Sequence, residues 1–264
     1  MNWPFVLGNI AVCAVAGGLA GFLGHKLKVG KIVTVGFVTV ATVASAFGWR
    51  AYQMRPVDYD TTVAEILAND SDEGLDRYLR HWARSIQGHP EIRQWYDATP
   101  TFKSDEREYH SKLITQAGLR RLSDPLLVQR IEALSKMVES AEETDCAAFG
   151  RGDITEAGMN RTLSKLDEET LQRFGTVVAE AMAAELRRSP EPRRSVTADV
   201  AQSFAEVSFR IGSQQTLRLR TNLLRMNELP DDEACWTTRT LYTQAATLRG
   251  RNQDALVLAL VTEE

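Results

Sequence analysis

The side chains that most often carry catalysis are scattered along this chain of 264 residues. Three histidines, His81, His89 and His110, lie after the first 50 residues, and none is spaced from another at i, i+4, as a pair of metal ligands on one helix would be. Acidic pairs at 142–143 and 168–169 support acid/base chemistry only where a cleft separates their pKa values. Nucleophile-elbow, phosphate-loop and zinc-protease motifs do not occur. We therefore predict a non-enzymatic protein with no catalytic residue, metal or cofactor.

The cysteines suggest a crosslink. Cys13 lies inside a long apolar run, which leaves Cys146 and Cys235 for the hydrophilic part, beside Phe149 and Trp236 respectively. If that part faces an oxidising compartment, a disulfide between the two would close a loop of roughly 90 residues, worth about 4 kcal/mol on the chain-entropy model. The alternative is a pair of free buried cysteines acting as small apolar residues. We predict the Cys146–Cys235 disulfide.

One short segment is rich in residue types that dominate protein interfaces. Within fifteen residues it holds two tryptophans, a tyrosine and two arginines, namely Trp82, Arg84, Arg93, Trp95 and Tyr96. Such residues are enriched among interface hot spots. Core aromatics with neighbouring surface arginines are the alternative interpretation. We retain these five residues as a candidate protein interface.

The part of the chain that carries the histidines, the two cysteines of the predicted disulfide and the aromatic segment follows an apolar N-terminal region. Runs 5–24 and 32–49 contain 20 and 18 residues, and no acidic residue precedes Asp58. A helix needs roughly 20 apolar residues to cross a bilayer core. The sequence predicts a transmembrane hairpin over residues 1–50 that contacts the lipid bilayer through residues 5–49. Gly17 and Gly21 have the i, i+4 spacing that lets membrane helices approach closely.

Positive charges near the two spans predict the orientation of the hairpin. The turn between the runs holds three lysines, at 26, 28 and 31, whereas Arg50 and Arg55 follow the second run. Cytoplasmic loops collect positive charge. We therefore expect a two-pass protein of a bacterial-type inner membrane whose C-terminal domain faces the periplasm. The inverted arrangement, with a cytoplasmic domain, is the alternative.

The rest of the chain, 51–264, is predicted to be one soluble all-helical domain. Its apolar residues recur at helical spacing, and no Asn-Gly or Asp-Gly hairpin signal divides them. We expect one long helix from Pro125 to Phe149, a bend near Gly212, and a linker at 189–195. After Gly212 the helix is predicted to resume through Leu217, Leu224 and Leu229 to Pro230. The fold class is thus all-α: a transmembrane hairpin followed by a multi-helix bundle.

Charge narrows the class of partner. The chain has 31 basic and 35 acidic residues; positions 1–50 hold four of the basic ones and no acidic ones, so the remainder carries a net charge near −8. Nucleic-acid binding would need a basic stripe, and we expect no nucleic-acid partner. An acidic surface suits a basic protein partner, although an acidic surface that merely keeps the domain soluble is the simpler interpretation.

We conclude from the sequence that this is a membrane-anchored periplasmic protein-binding domain, with an immunity-type inhibitor of a toxic or lytic envelope enzyme as the favoured instance. Two other classes stay open. One is a cytoplasm-facing scaffold or signalling module, in which both cysteines would be reduced. The other is an envelope hydrolase whose site is assembled from residues that are distant in sequence.

Overall fold

The computed structural model describes residues 59–99, 104–193 and 196–261, with side chains described for 59–99, 109–193 and 196–260. These residues form twelve α-helices and one 3-10 turn, and they contain no β-strand, which confirms the all-α prediction for this part of the chain. The helices are α1 Tyr59–Ala68, α2 Gly74–Ile86, α3 Pro90–Ala98, α4 Ser104–Leu119, α5 Asp124–Ser140, α6 Glu143–Arg151, α7 Glu156–Ser164, α8 Glu168–Arg187, α9 Thr197–Ile211, α10 Ser213–Leu223, α11 Asp231–Thr247 and α12 Arg251–Val261, with the 3-10 turn at Met226–Glu228.

The predicted hairpin, with runs 5–24 and 32–49, lies outside the described residues. Within the ranges that the structure describes, no helix combines the length and apolar character required to cross a membrane.

Local capping chemistry explains several helix boundaries. Asp167 accepts a hydrogen bond from the Thr170 backbone N–H (2.7 Å) at the start of α8, and Thr155 accepts one from Gly158 (3.1 Å) at the start of α7. These side chains satisfy backbone donors that the first helical turn leaves unpaired. The prediction of one continuous helix over 125–149 is wrong. The backbone is extended at Ala141 and Glu142, and a separate helix, α6, begins at Glu143.

Helix α8 is the centre of the first half of the domain. It packs against α2, α3, α4 and α5, with Phe174 and Val177 almost fully buried. Two glycines permit backbone-to-backbone contact with this helix. A Cβ on Gly118 of α4 would lie 1.7 Å from the Ala181 carbonyl oxygen, and one on Gly175 would lie 2.9 Å from the Trp82 backbone nitrogen.

Helix α11 is the centre of the second half. It packs against α5, α6, α10 and α12, and because α5 also packs on α8, the two halves share one hydrophobic core. The Phe149 and Tyr242 rings meet edge to face, with centroids 5.7 Å apart. A Cβ on Gly150 would lie 1.9 Å from the Thr238 hydroxyl, so α6 and α11 are in close contact.

The segment predicted as a linker at 189–195 joins α8 to α9 and is hydrogen-bonded to the turn between α4 and α5 over its described part. The Arg121 guanidinium donates to the Pro190 carbonyl oxygen (2.7 Å) and to the Glu185 carboxylate (2.7 Å). The Arg193 backbone N–H donates to the Arg120 carbonyl oxygen (2.8 Å). Residues 189–193 are therefore fixed to the domain.

Candidate interaction surfaces

The structure brings together three of the five predicted interface residues on α3, against the start of α1. The Trp95 and Tyr96 rings meet edge to face at 5.1 Å, and the Tyr96 ring meets the Tyr59 ring at 5.8 Å. The Arg93 guanidinium lies over the Tyr59 ring, 5.2 Å from its centroid. We call Asp60, Arg93, Trp95 and Tyr96 the α1–α3 surface. Tyr59 supports it from the core, and its hydroxyl donates to the Ile86 carbonyl oxygen (3.0 Å).

An ion pair holds Arg93 of this surface in place. Arg93 forms an ion pair with Asp60, and the hydrogen bond that Arg93 donates to that carboxylate raises the pKa of Arg93 further above its usual value. Burial raises the pKa of the Tyr59 phenol, while the neighbouring Arg93 charge opposes the shift. Asp60 and Arg93 remain about half-exposed or more, and Trp95 and Tyr96 are half-buried. The cluster is thus ordered before any partner arrives and still presents aromatic edges and a positive charge.

The other two predicted interface residues lie elsewhere. Trp82 is 4% exposed and packs in the core beside Gly175, so its side chain is not available to a partner in this structure. The alternative interpretation of core aromatics describes Trp82 correctly. Arg84 is exposed on α2. Tyr59 and Asp60, which complete the cluster, were missed because nothing in their local sequence links them to α3.

The two most exposed large apolar side chains of the described residues, Phe209 and Leu217, lie on α9 and α10, and Leu224, directly after α10, is also exposed. Phe209 is 89% exposed, Leu217 69% and Leu224 49%, whereas Leu219 and Leu223 of the same helix are buried. The helix that was predicted to resume after Gly212 is present as α10, but it ends at Leu223 and not at Pro230. Leu217 and Leu224 are seven residues apart, on one side of α10 and about 10 Å from each other along its axis.

Phe209 lies at the corner where α9 turns into α10. Gly212 has φ 81° between the two helices, and the Thr216 hydroxyl donates to the Ser208 carbonyl oxygen (3.2 Å), which holds the last turn of α9 against the first turn of α10. Arg220 and Thr221 are exposed between Leu217 and Leu224. We call Phe209, Leu217, Arg220, Thr221 and Leu224 the α9–α10 surface.

The arginines around this surface differ in their partners. Residues 207–227 contain four arginines and no acidic residue. Arg210 pairs with Glu206 (2.5 Å), Arg218 with Glu233 (2.6 Å) and Arg225 with Glu228 (3.1 Å). These three ion pairs neutralise most of the local positive charge.

Two nearby arginines, one within residues 207–227 and one shortly after α11, have no carboxylate partner among the described residues. One is Arg220. The other is Arg249, which donates to the Ala246 carbonyl oxygen (3.0 Å) at the end of α11. The Arg210 guanidinium donates to the Thr247 carbonyl oxygen (3.1 Å), so this end of α11 lies beside the last turn of α9. The α9–α10 surface is consequently apolar with a small excess of positive charge.

The predicted disulfide is present. Cys146 of α6 is bonded to Cys235 of α11, with Cα atoms 5.0 Å apart and 89 residues of sequence separation. Both residues are 1% exposed or less. The crosslink is inaccessible to solvent and lies in the second half of the core, where it acts as a structural bond.

Two of the three histidines within the described residues, His81 and His89, contact acidic side chains of α8 or α3. His81 contacts Glu168 through Nε2 (2.5 Å), and this contact is the main reason that the pKa of Glu168 is lowered. His89 lies between Glu91 (3.6 Å) and Glu180 (3.5 Å). His110 is exposed beside the Tyr109 ring, 5.6 Å between centroids. These contacts tie α2 and α3 to α8.

The acidic pairs at 142–143 and 168–169 sit at helix starts and are partly engaged in ion pairs. Glu142 pairs with Lys165 (3.3 Å), Glu168 with Arg77 (2.5 Å), and Glu169 with Arg173. Across the described ranges, no group of three or more potential ligands is arranged to hold a metal ion.

A shallow cleft of about 210 Å³ lies between α5 and α8. Its charged side chains are Glu132, Lys136 and Arg173. Lys136 donates to the Thr170 hydroxyl (2.9 Å) and Arg173 lies 3.9 Å from Glu132. Each charged side chain of the cleft is thus already in contact with a neighbouring polar or charged side chain.

Comparison with known proteins gives no further guide to function. Neither the family models, nor the curated protein sequences, nor the solved structures that were searched contain a match to this chain.

Proposed function

We propose that this protein is a membrane-anchored, non-enzymatic protein-binding domain on the periplasmic side of a bacterial-type inner membrane. An immunity-type inhibitor of a toxic or lytic envelope enzyme is the favoured instance. The observation that carries the proposal is the buried Cys146–Cys235 disulfide. Disulfides form and persist in oxidising compartments and are rare in the cytosol. The crosslink thus supports the orientation that the lysine-rich turn of the hairpin predicts from sequence.

The α1–α3 surface is the site that we propose for the protein partner. It combines an arginine, a tryptophan and a tyrosine, the three types most enriched at hot spots. Because Arg93 is already held by Asp60 and by the Tyr59 ring, little side-chain freedom is lost on binding. Exposed carboxylates elsewhere on the acidic domain would attract a basic partner and raise its association rate.

Orientation is tested with reporters fused after Glu264. Alkaline phosphatase is active only in the periplasm and green fluorescent protein exported in unfolded form does not fluoresce there. We expect phosphatase activity without fluorescence. The reverse result would place the domain in the cytoplasm and would support the scaffold alternative.

Partner binding is tested by photo-crosslinking in intact envelopes. A benzophenone amino acid replaces Gln94, which is exposed between Arg93 and Trp95, and a control replaces Gln172, which is exposed on α8. We expect one envelope enzyme to be crosslinked at position 94 and not at 172. Its activity should fall when the purified full chain is added. Equal crosslinking at both positions, or none at 94, would count against the α1–α3 surface.

A further inference from the structure

We propose that the α9–α10 surface docks onto a phospholipid bilayer that contains anionic headgroups. The proposal goes beyond protein binding and rests on the membrane-anchored part of the proposed function. It starts from Phe209, Leu217 and Leu224, whose side chains are 89%, 69% and 49% exposed. Single exposed apolar side chains are common, but a group of them at one place marks a surface that is covered in use. The hydrogen bond between Thr216 and Ser208 brings the neighbours of Leu217 and Phe209 together at the corner between α9 and α10.

The charge around these side chains favours a bilayer as the covering surface. Amphipathic helices that lie in a membrane interface combine Phe and Leu with basic residues and insert their apolar side chains a few ångströms below the headgroups. Arg220 lies between Leu217 and Leu224 and, like Arg249, has no carboxylate partner among the described residues. A long arginine side chain can stay with the headgroups while its apolar neighbours insert.

A protein partner of the kind predicted from the domain's charge fits this surface less well. The domain as a whole is acidic and would attract a basic protein, whereas this surface keeps a small positive excess, because among the described residues Arg210, Arg218 and Arg225 are paired with carboxylates and Arg220 is not. The local charge therefore complements an anionic surface, and like charges would face one another if a basic protein docked here.

The length of chain between the second apolar run and the domain is short. Nine residues, 50–58, separate that run from Tyr59, the first residue of α1. Nine residues can span at most about 30 Å, while a domain of this size has a radius of gyration of about 17 Å. An anchor in the membrane would therefore keep the domain close to the bilayer, and the high effective concentration makes a weak surface contact sufficient.

The test uses the full chain reconstituted into vesicles, either of phosphatidylcholine alone or with phosphatidylglycerol added. A benzophenone amino acid is placed at Leu217, and the control position is Leu113, an exposed leucine of α4. After illumination, mass spectrometry distinguishes lipid adducts from protein adducts. We expect a lipid adduct at 217 that increases with phosphatidylglycerol, and little adduct at 113.

Variants that remove one positive charge test whether electrostatic attraction contributes to the docking. An arginine near an anionic surface contributes roughly 1 kcal/mol, so Arg220→Gln is expected to lower the adduct yield at 217 about fivefold. Arg173→Gln, an exposed arginine of α8, should leave the yield unchanged. A protein adduct at 217, equal yields at 217 and 113, or insensitivity to phosphatidylglycerol would overturn the proposal.

The outcomes also separate this proposal from the proposed function. A chain that is released from vesicles by alkaline washing would contradict the membrane anchor itself, and both proposals would fail. A chain that stays in the membrane but gives no lipid adduct at 217 would overturn only the docking of the α9–α10 surface.

Discussion

Cys146 on α6 and Cys235 on α11 are joined by a disulfide, although 89 residues of sequence separate them. Between them the chain forms α7 to α10, so the closed loop includes α8 of the first half of the domain as well as α9 and α10 of the second half. On the chain-entropy model such a loop constrains the unfolded chain strongly. The bond also bears on the cellular compartment of the domain, because disulfides form and persist where thiols are oxidised.

The first prediction concerns this bond. Replacing both cysteines with alanine should lower the free energy of unfolding by about 4 kcal/mol, because the unfolded chain regains its loop entropy. Denaturant unfolding of the full chain in detergent, followed by tryptophan fluorescence, measures the change. Wild-type protein unfolded with excess reductant should match the double variant. Equal stability of the oxidised and reduced wild type would contradict the prediction.

The second prediction concerns helix packing at Gly118. Gly118→Ala should destabilise the protein by about 3 kcal/mol, because the new Cβ would lie 1.7 Å from the Ala181 carbonyl oxygen and α4 would have to move away from α8. Gly88→Ala is the matched control, since its nearest neighbour would be 3.6 Å away, an ordinary contact. Similar denaturation midpoints for the two variants would show that α4 and α8 are not in backbone contact.

The third prediction tests which leucines of α10 are buried. Leu219→Ala should cost about 2–5 kcal/mol, as for a buried leucine, and Leu217→Ala should change stability by less than about 0.5 kcal/mol. The two positions are only two residues apart in the sequence, but the Leu219 side chain is 1% exposed and the Leu217 side chain is 69% exposed. Denaturant midpoints measured on both variants check this difference. A larger cost at 217 would mean that this residue is covered within the protein.

The fourth prediction concerns the cap of α8 and its dependence on pH. Hydrogen bonds from the Thr170 backbone N–H and hydroxyl lower the pKa of Asp167 to about 2. Because the folded pKa is lower than the unfolded value of about 3.9, the ionised cap stabilises the protein above pH 4. That contribution is lost as the pH falls towards 2.

Asp167→Ala should therefore cost about 1 kcal/mol at neutral pH, the usual value for a lost cap. Asp167→Asn keeps an acceptor that does not titrate, so its stability difference from the wild type should shrink as the pH falls from 5 to 2. Thermal unfolding by circular dichroism follows both variants. A difference that does not change over this pH range would rule out the carboxylate as the cap.

Local sequence signals were enough to predict the helical class, and they are also visible at the Thr155 cap of α7 and at Pro125 in the first turn of α5. Each depends on neighbours in the chain, because a cap or an N-terminal proline acts within one helical turn. The division of the helix predicted over 125–149 was not visible, since Ala141 and Glu142 are both compatible with a continuing helix. Contacts of α5 with α8 and of α6 with α11 coincide with that division.

The candidate surfaces were harder to predict than the helices. The residue types alone were enough to predict Arg93, Trp95 and Tyr96 as candidate interface residues. Their position on one helix follows from their closeness in the sequence. Tyr59 could not be added, because its contact with α3 crosses more than thirty residues. The exposure of Leu217 and Leu224 could not be predicted, because helical spacing indicates which residues share a face, but not whether another helix covers that face.

The sequence by itself determined the all-helical class, the acidic charge of residues 51–264 and the two N-terminal apolar runs, since these depend on composition and on periodicity within a few residues. It also narrowed a crosslink to Cys146 and Cys235. Only the tertiary structure decided that these two cysteines meet, that Trp82 is buried and that Phe209, Leu217 and Leu224 remain in solvent. Burial and pairing are set by helices distant in sequence that pack together, and local periodicity carries no information about which helix covers which face.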